Sequence, residues 1–576
     1  MNQERVKNRL SQLWISLYGN LKHEILHQFI DDLVLHEQFN ESTANEEGWY
    51  KDAIVYSLYV DLFNDTFKGL TQKLDYLEGL GVNCLWLLPV LDSPMRDAGF
   101  DIRDYRSVRK SLLDLPTNAS EEEAERLFLQ FLDAAHARNI KVIFDIAMNH
   151  VSEEHHWFQE ARKGKDNPYY DYFIWSDNDR GYPEARLLFK GMCPSNWEKA
   201  GNQYFFHRFF EFQPDLNYRN PRVLIEMCQN LLYWVSQNVD GFRADAIPYL
   251  WKEEGTTCEN LPQTHTIVQF FKTVLDFVRP NTLLLAEACQ KPKEVVKYIG
   301  DGKECNAGYH FPLMPMIYKA LALHTRQPII NTLNPAVTPS IAPESQWFTF
   351  LRCHDELSLE RIYVTEEDRK LIHKQYCHTP QWDFRMGEGI SARLSELMEH
   401  NADKIALAFS VMLSLPGTPI LYYGDEFAKK NDEAYYQQQI QFTGKNDTRF
   451  LVRGKIDWDH VATLLSNPES TGYKVFTKLS AMIAVRKQFK AFGRGTLEWL
   501  EMRDEKEKPV DKVLSYARCF NEEKIIVLQN LSPDPVFIKA AILKNCAGKK
   551  DHLGKICPDR NKKNGIILSP WAYYWV

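Results

Sequence analysis

The sequence has no surplus of positive charge: 69 basic side chains stand against 77 acidic ones, a formal net charge of −8. Nucleic-acid binding leaves a basic footprint, so that class of partner is excluded. There is no CxxC pair and no Cys/His cluster at metal-ligand spacing among the 11 cysteines. Neither structural zinc nor a disulfide framework is expected, and a reducing compartment is the simplest reading. The opening residues MNQERVKNRLSQLW carry no apolar stretch and no small-residue cleavage site. That points to the cytoplasm, export by a dedicated machine apart. Long apolar runs are missing too, so no membrane anchor is expected. The one uncharged stretch, residues 405–423, is broken by Pro416-Gly417-Thr418-Pro419. It reads as a buried helix, a turn and a buried strand. Internal repeats and low-complexity tracts are also lacking.

What is present is an ordinary globular composition, 44% apolar and 25% charged, with an aromatic share of 13%. A chain of 576 residues exceeds one compact core, so several domains are expected. Residues 1–48 read as an N-terminal helical extension. There Val6, Leu10, Leu13, Leu17, Leu21, Ile25, Phe29 and Leu33 recur every three or four positions, and a polar linker follows at 40–48. From Ala53 short apolar strands alternate with amphipathic helices. Strands are expected at 54–60, 84–89, 142–146, 241–245, 283–287, 347–351 and 420–423, with a weaker one at 309–313. The class is α/β, and the architecture a (β/α)8 barrel over 49–490. An inserted subdomain at 151–217 follows strand three. Residues 491–576 hold strands without helices, which predicts a C-terminal antiparallel β-sandwich domain with a hairpin turn at 521–524.

Polar residues end the expected barrel strands. Strand three ends in Asp145 and runs on to Asn149 and His150; strand four ends in Arg243 and Asp245. Strand five ends in Glu287 and strand seven in His354, Asp355 and Glu356. The C-terminal ends of barrel strands form the active face. A lone Asp after a strand usually caps the next helix, but several acids with an arginine and two histidines at one mouth are poorly explained as caps. Such a set suits glycoside hydrolysis or glycosyl transfer. One carboxylate attacks the anomeric carbon while a second acid protonates the leaving oxygen, and a separation of about 5–5.5 Å gives retention. The acid must hold its proton near neutral pH, which needs an apolar surround and nearby negative charge. Residues 283–286 supply the apolar approach to Glu287.

These strand ends are similar to those of glycoside hydrolase family 13, the α-amylase family. The resemblance runs from about residue 48 to 426, and more weakly to the end. It rests on Asp145–His150 (DIAMNH), Gly241–Asp245 (GFRAD), Glu287 within LLLAEA, and His354-Asp355 within LRCHDE, in order. The resemblance implies Asp245 as nucleophile, Glu287 as general acid and base, and Asp355 as the third carboxylate, which binds sugar hydroxyls. It implies that Arg243 orients Asp245, that His150 and His354 bond the innermost glucose, that Asp97 binds its far side, and that Phe100 forms a stacking floor where Tyr is usual. The aromatics of the insertion, from Tyr169 to Phe212, would roof that site. Gln213-Pro214-Asp215-Leu216-Asn217 resembles the mark of the oligo-1,6-glucosidase group. Residues 254–265 and 300–315 resemble the trehalose synthase group, which interconverts maltose and trehalose by intramolecular transglucosylation.

The implied substrates are maltose, trehalose or short α-glucans, and a homo-oligomer is compatible with the sequence. A hydrolytic α-glucosidase or amylase is the alternative function. A catalytically inactive amylase-like binding protein is the third, set against it by the presence of all three acids. The sequence departs from the family at several points. Cys353 stands where Asn is usual before His354. The loop 61–69 lacks the family's Asp-rich calcium site, and Lys252 stands near an acidic calcium ligand of relatives, so no cofactor and no required calcium are expected. The segment 429–458 follows none of the group's patterns; within it, Arg449 or Arg453 would pair with Asp97.

Overall fold

The computed structural model describes residues 2–35, 45–189, 191–560 and 565–576; of the expected polar linker, residues 40–44 lie outside them. Helix α1 (Gln3–Tyr18) begins at Asn2, whose side chain accepts from the Arg5 amide. Its buried stripe Val6, Leu10, Leu13 and Trp14 packs on the helix Pro262–Val278 of the main domain. Helix α2 (His23–Leu35) buries Leu26, Phe29, Ile30 and Leu33. Leu21, placed in that stripe by its spacing, is exposed because it lies in the turn between the helices, where its carbonyl accepts from the Trp14 indole at 3.0 Å.

Eight parallel strands then close a barrel. They are β1 (Val55–Leu58), β2 (Cys84–Leu87), β3 (Lys141–Ala147), β4 (Gly241–Asp245), β5 (Leu283–Ala286), β6 (Ala307–Tyr309), β7 (Gln346–Phe350) and β8 (Thr418–Tyr422). Closure is made by β8 against β1, with Ile420 beside Val55. Nearly every strand residue is buried, as two covered faces require. A side chain at Gly241 would meet the Leu283 carbonyl at 2.5 Å, so glycine permits the close approach of β4 and β5.

The sixth strand is displaced from its expected position at 309–313. It ends at Tyr309, and Leu313 opens the helix Leu313–Leu323. Gly308 hides the pattern: a Cβ there would meet Val295 at 2.8 Å, so the strand has no side chain where the period needs one. The uncharged stretch forms the helix Ala402–Ser414 and strand β8, as expected, and no helix among the described residues is long and apolar enough to cross a membrane.

The insertion after β3 holds a three-stranded antiparallel sheet of Trp175–Ser176, Gln203–Phe206 and Trp197–Ala200. A second insertion, between β7 and the helix Ala402–Ser414, escaped the sequence reading. It carries the helix Glu366–Tyr376 and a small sheet of Leu357–Ser358, Gly389–Ile390 and Asp383–Phe384.

The C-terminal region contains a four-stranded antiparallel sheet in the order β9 (Thr496–Trp499), β10 (Val513–Phe520), β11 (Glu523–Asn530) and β12 (Tyr573–Trp575). A tight turn joins β10 to β11, with Asn521 at φ 51°. The ribbon of Val536–Ile538 and Ile566–Leu568 shares a core with this sheet through Val513, Leu528, Ile538 and Leu568. The sheet docks on the barrel through Ser414, whose carbonyl accepts from Arg518 at 2.8 Å and whose hydroxyl meets the Tyr516 hydroxyl at 2.6 Å.

Candidate active site

Strand register builds the base of the site. Asp145 and Arg243 are partners across β3 and β4, and Asp245 stands beside Ala147. Arg243 Nη1 lies 2.6 Å from Asp145 Oδ1 and 2.5 Å from Asp245 Oδ1. The Trp86 indole donates to the other oxygen of Asp145 at 2.9 Å. Burial pushes Asp145 up to about 7 against the pull of Arg243. Burial works against the Arg243 charge, but Asp145 and Asp245 hold its pKa well above the usual value. It therefore stays cationic beneath the site.

Glu287 follows β5. The Ala246 amide donates to its Oε2 at 3.0 Å, and Arg243 Nη2 lies 3.9 Å from its Oε1. One guanidinium therefore reaches both Asp245 and Glu287. Burial raises Glu287 to about 7, with Asp245 and Asp355 adding to the rise and Arg243 opposing it.

Asp355 follows β7 and is bound differently. Arg449 Nη1 and Arg453 Nη2 both reach its Oδ1, at 3.1 and 3.2 Å, and His354 Nε2 lies 3.1 Å from its Oδ2. Burial alone would raise Asp355; His354, Arg449 and Arg453 outweigh it and hold the carboxyl well below the usual range. Burial also drops His354 to about 3. That imidazole is neutral at pH 7, so the two arginines keep Asp355 ionised there.

The remaining expected residues converge on the same pocket. Asp97 lies 3.5 Å from Arg449 Nη2 and accepts from Gln213 Nε2 at 3.0 Å. Burial lifts it to about 7, with Arg449 opposing. Of the two arginines offered by the sequence, Arg449 is therefore the partner of Asp97, while Arg453 donates to the His354 carbonyl at 2.9 Å. Phe100 stacks on the His354 ring at 5.5 Å and 21°. His150 lies 3.4 Å from Gln213 Nε2, and burial lowers its pKa.

Four participants were missed by sequence reasoning. Gln213 bridges Asp97 and His150; its motif was visible but its reach was not. Asp447 grips Arg449 at 2.6 Å, and its position two residues earlier was the available signal. Phe189 and Phe384 lie 5.3 and 5.4 Å from the Arg449 guanidinium. The expected aromatic roof is also corrected. Phe158, Phe173, Trp175 and Phe205 pack on one another and join the main hydrophobic core. Phe209 does reach the pocket, 4.8 Å from the His150 ring and 5.7 Å from Tyr249.

A chain of ion pairs links the loops that follow the strand ends. Arg186 meets Glu259 at 2.8 Å and Glu360 at 3.3 Å and donates to the Tyr249 hydroxyl at 3.2 Å. Arg385 carries the chain from Glu360 to Glu388. This network ties the first insertion to the loop after β4 and to the second insertion.

With this geometry in hand, comparison with known families is decisive. Residues 33–493 match the family described as alpha amylase, catalytic domain. The chain belongs to the α-amylase family. Within this family of carbohydrate-processing enzymes, it is similar to the trehalose synthase/amylase TreS of Mycolicibacterium smegmatis, 45% identical over 394 residues. That match covers 66% of this chain and 64% of the relative, so the chain spans less than two thirds of that protein. It is also similar to the trehalose synthase/amylase TreS of Mycobacterium tuberculosis, 38% identical over 523 residues, covering 85% of this chain and 83% of the relative. A solved isomaltulose synthase from Klebsiella superposes with a TM-score of 0.67 at 22% identity, over 92% of this chain and 99% of its own. That likeness establishes the α-amylase-family fold.

Lys252, which the sequence sets near the acidic calcium ligand expected from the family resemblance, is buried among oxygens. Its Nζ lies 2.9 Å from Asp215 Oδ2, 2.7 Å from Asn149 Oδ1 and 3.2 Å from the Leu216 carbonyl. Burial lowers its pKa while Asp215 raises it. The three oxygens come from both ends of the first insertion, so this ammonium pins the insertion to the end of β3.

Proposed function

We propose that this chain is a retaining α-glucosyl-transferring enzyme that interconverts maltose and trehalose. The observation that supports the reading is the one guanidinium, Arg243, that reaches both Asp245 and Glu287 at the barrel mouth. Asp97, tied to Arg449 and Gln213, would hold the far side of one glucose beside Phe100 and His354. The non-reducing glucose of maltose binds there. An oxygen of Asp245 attacks its anomeric carbon, and Glu287 gives its proton to the departing glycosidic oxygen. The shared reach of Arg243 supports the short carboxylate separation that retention needs. Asp355 accepts hydrogen bonds from the sugar hydroxyls and offsets positive charge at the anomeric centre. The released glucose stays in the site and turns over. Its anomeric hydroxyl then attacks the glucosyl–Asp245 bond while the Glu287 carboxylate takes that proton. Two inversions return the donor carbon to α, and attack through the α-anomeric hydroxyl of the released glucose makes the product α,α-linked.

Incubating the pure protein with maltose and resolving the products tests this. Trehalose is the expected main product. Glucose alone would sink the reading and leave hydrolysis, which the word amylase in the names of the mycobacterial relatives favours as the second reading.

Glu287 must be protonated to act as acid. With its pKa raised to about 7, the active form is complete below neutrality and is lost as pH rises. The alkaline limb of kcat/KM is expected near pH 7, set by the free enzyme. A limb lying beyond pH 9 would contradict this proton source.

We also infer that the Lys252 ammonium takes the place of a calcium ion. Activity and melting temperature should then be the same with EDTA as with added calcium. Loss of activity in EDTA, restored by calcium, would refute it. The eleven free thiols support a reducing, cytoplasmic compartment for the protein.

A further inference from the structure

The helix Glu433–Thr443 lies in the segment that follows none of the group's patterns, and it buries little of its surface. Its one buried residue is Tyr436. Tyr435, Gln438, Gln439 and Phe442 have the spacing of a core-facing stripe. They face a cavity of about 460 Å³ instead of a core. Phe442 is 63% exposed. The far wall of this cavity includes Tyr59 and Ala98 and also Arg453, whose guanidinium holds Asp355 at 3.2 Å. The cavity is therefore a neighbour of the glucose pocket, separated from it by a shared arginine.

The charges in the wall are already accounted for. Arg109 pairs with Asp61 at 2.8 Å, Lys455 with Asp65 at 2.5 Å and Arg453 with Asp355, while Asp432 caps the helix at the Tyr435 amide. Among the described residues, Arg109 Nε and Arg453 Nη1 are buried without a hydrogen-bond partner, so the wall suits hydroxyl acceptors. The helix supplies two carboxamides and a phenol, and Phe442 and Phe450 supply apolar surface. Amides with aromatic faces suit a ring that carries hydroxyls on its rim and C–H groups on its faces, and the volume falls in the range of small-molecule sites.

We propose that this cavity binds a neutral mono- or disaccharide, as a second sugar site beside the glucose pocket. The choice of sugar rests on the glucoside reading given above. Because Arg453 belongs to both sites, sugar in the cavity touches the group that positions Asp355.

Equilibrium dialysis of Asp245→Asn protein with labelled maltose separates binding from turnover. Two sugars per chain are expected. Gln438→Ala with Phe442→Ala should reduce the number to one. Ala434→Trp, which fills the cavity from the same helix, should do the same with the melting temperature preserved. A count of one that neither change alters overturns the second site. A count of one that both changes abolish keeps the second site and overturns the glucoside reading of the catalytic pocket. No binding at all overturns both.

Discussion

Asp245→Asn lowers kcat on maltose by about four orders of magnitude or more, the scale on which removal of a nucleophile is felt. Asparagine keeps the shape and can still accept from Arg243, but its oxygen forms no stable glucosyl ester. The fold should tolerate the change, because Arg243 retains Asp145 at 2.6 Å and the site loses one of several closely packed carboxylates. Melting temperature and the circular dichroism spectrum should therefore match the parent. Glu287→Gln is the companion variant. It should lose turnover of maltose, yet still be glucosylated by an α-glucosyl donor whose leaving group needs no proton. Mass spectrometry of the intact protein would then find one glucosyl unit attached. An Asp245→Asn protein as active as its parent would remove the covalent route altogether.

The second large effect is expected at Arg449. Its guanidinium touches Asp97, Asp355 and Asp447, all of them at least partly buried. Arg449→Met keeps an unbranched side chain of similar reach and deletes the guanidinium, with its charge, its N–H donors and its cation–ring contacts with Phe189 and Phe384. Breaking a buried pair from one side costs about 3–5 kcal/mol, because the abandoned charge stays out of water. A loss of that order in urea unfolding is expected, together with a fall in kcat/KM as Asp355 keeps Arg453 alone. Adding Asp447→Asn should recover part of the stability, since it removes one abandoned charge. A loss under about 1 kcal/mol, with no coupling between the two changes, would show that the triad is not held by this arginine.

The catalytic mouth was legible in the sequence because its parts are local. Asp145, Arg243, Asp245, Glu287, His354 and Asp355 each end an apolar strand, and the barrel alone decides that such ends meet. The partner of Asp97 was not legible. Arg449 lies in a short helical segment, Thr448–Val452, Arg453 caps its end four residues on, and both reach Asp355. Which of them also reaches Asp97 depends on how that segment is seated against Phe189 and Phe384, a tertiary matter with no trace in spacing. The sixth strand was misplaced for the opposite reason: Gly308 is packed against Val295, and a strand without side chains carries no period to read. The aromatics of the insertion were over-read. Their number suggested a sugar roof, but most of them are taken up by hydrophobic packing, in the main core and in two smaller clusters.

Lys252 has a consequence of another kind. A dissociable ion stabilises the folded state by an amount that depends on its free concentration, and the gain vanishes when the ion is withdrawn. A cation carried on the chain has no dissociation constant, and its supply is fixed at one per molecule by translation. Here it joins Asn149, Asp215 and the Leu216 carbonyl. If this ammonium stands in for the ion, as proposed, the anchoring of the first insertion should obey no mass-action law in calcium. Its unfolding midpoint should be flat across changes in divalent-ion level that would shift an ion-dependent relative by several degrees.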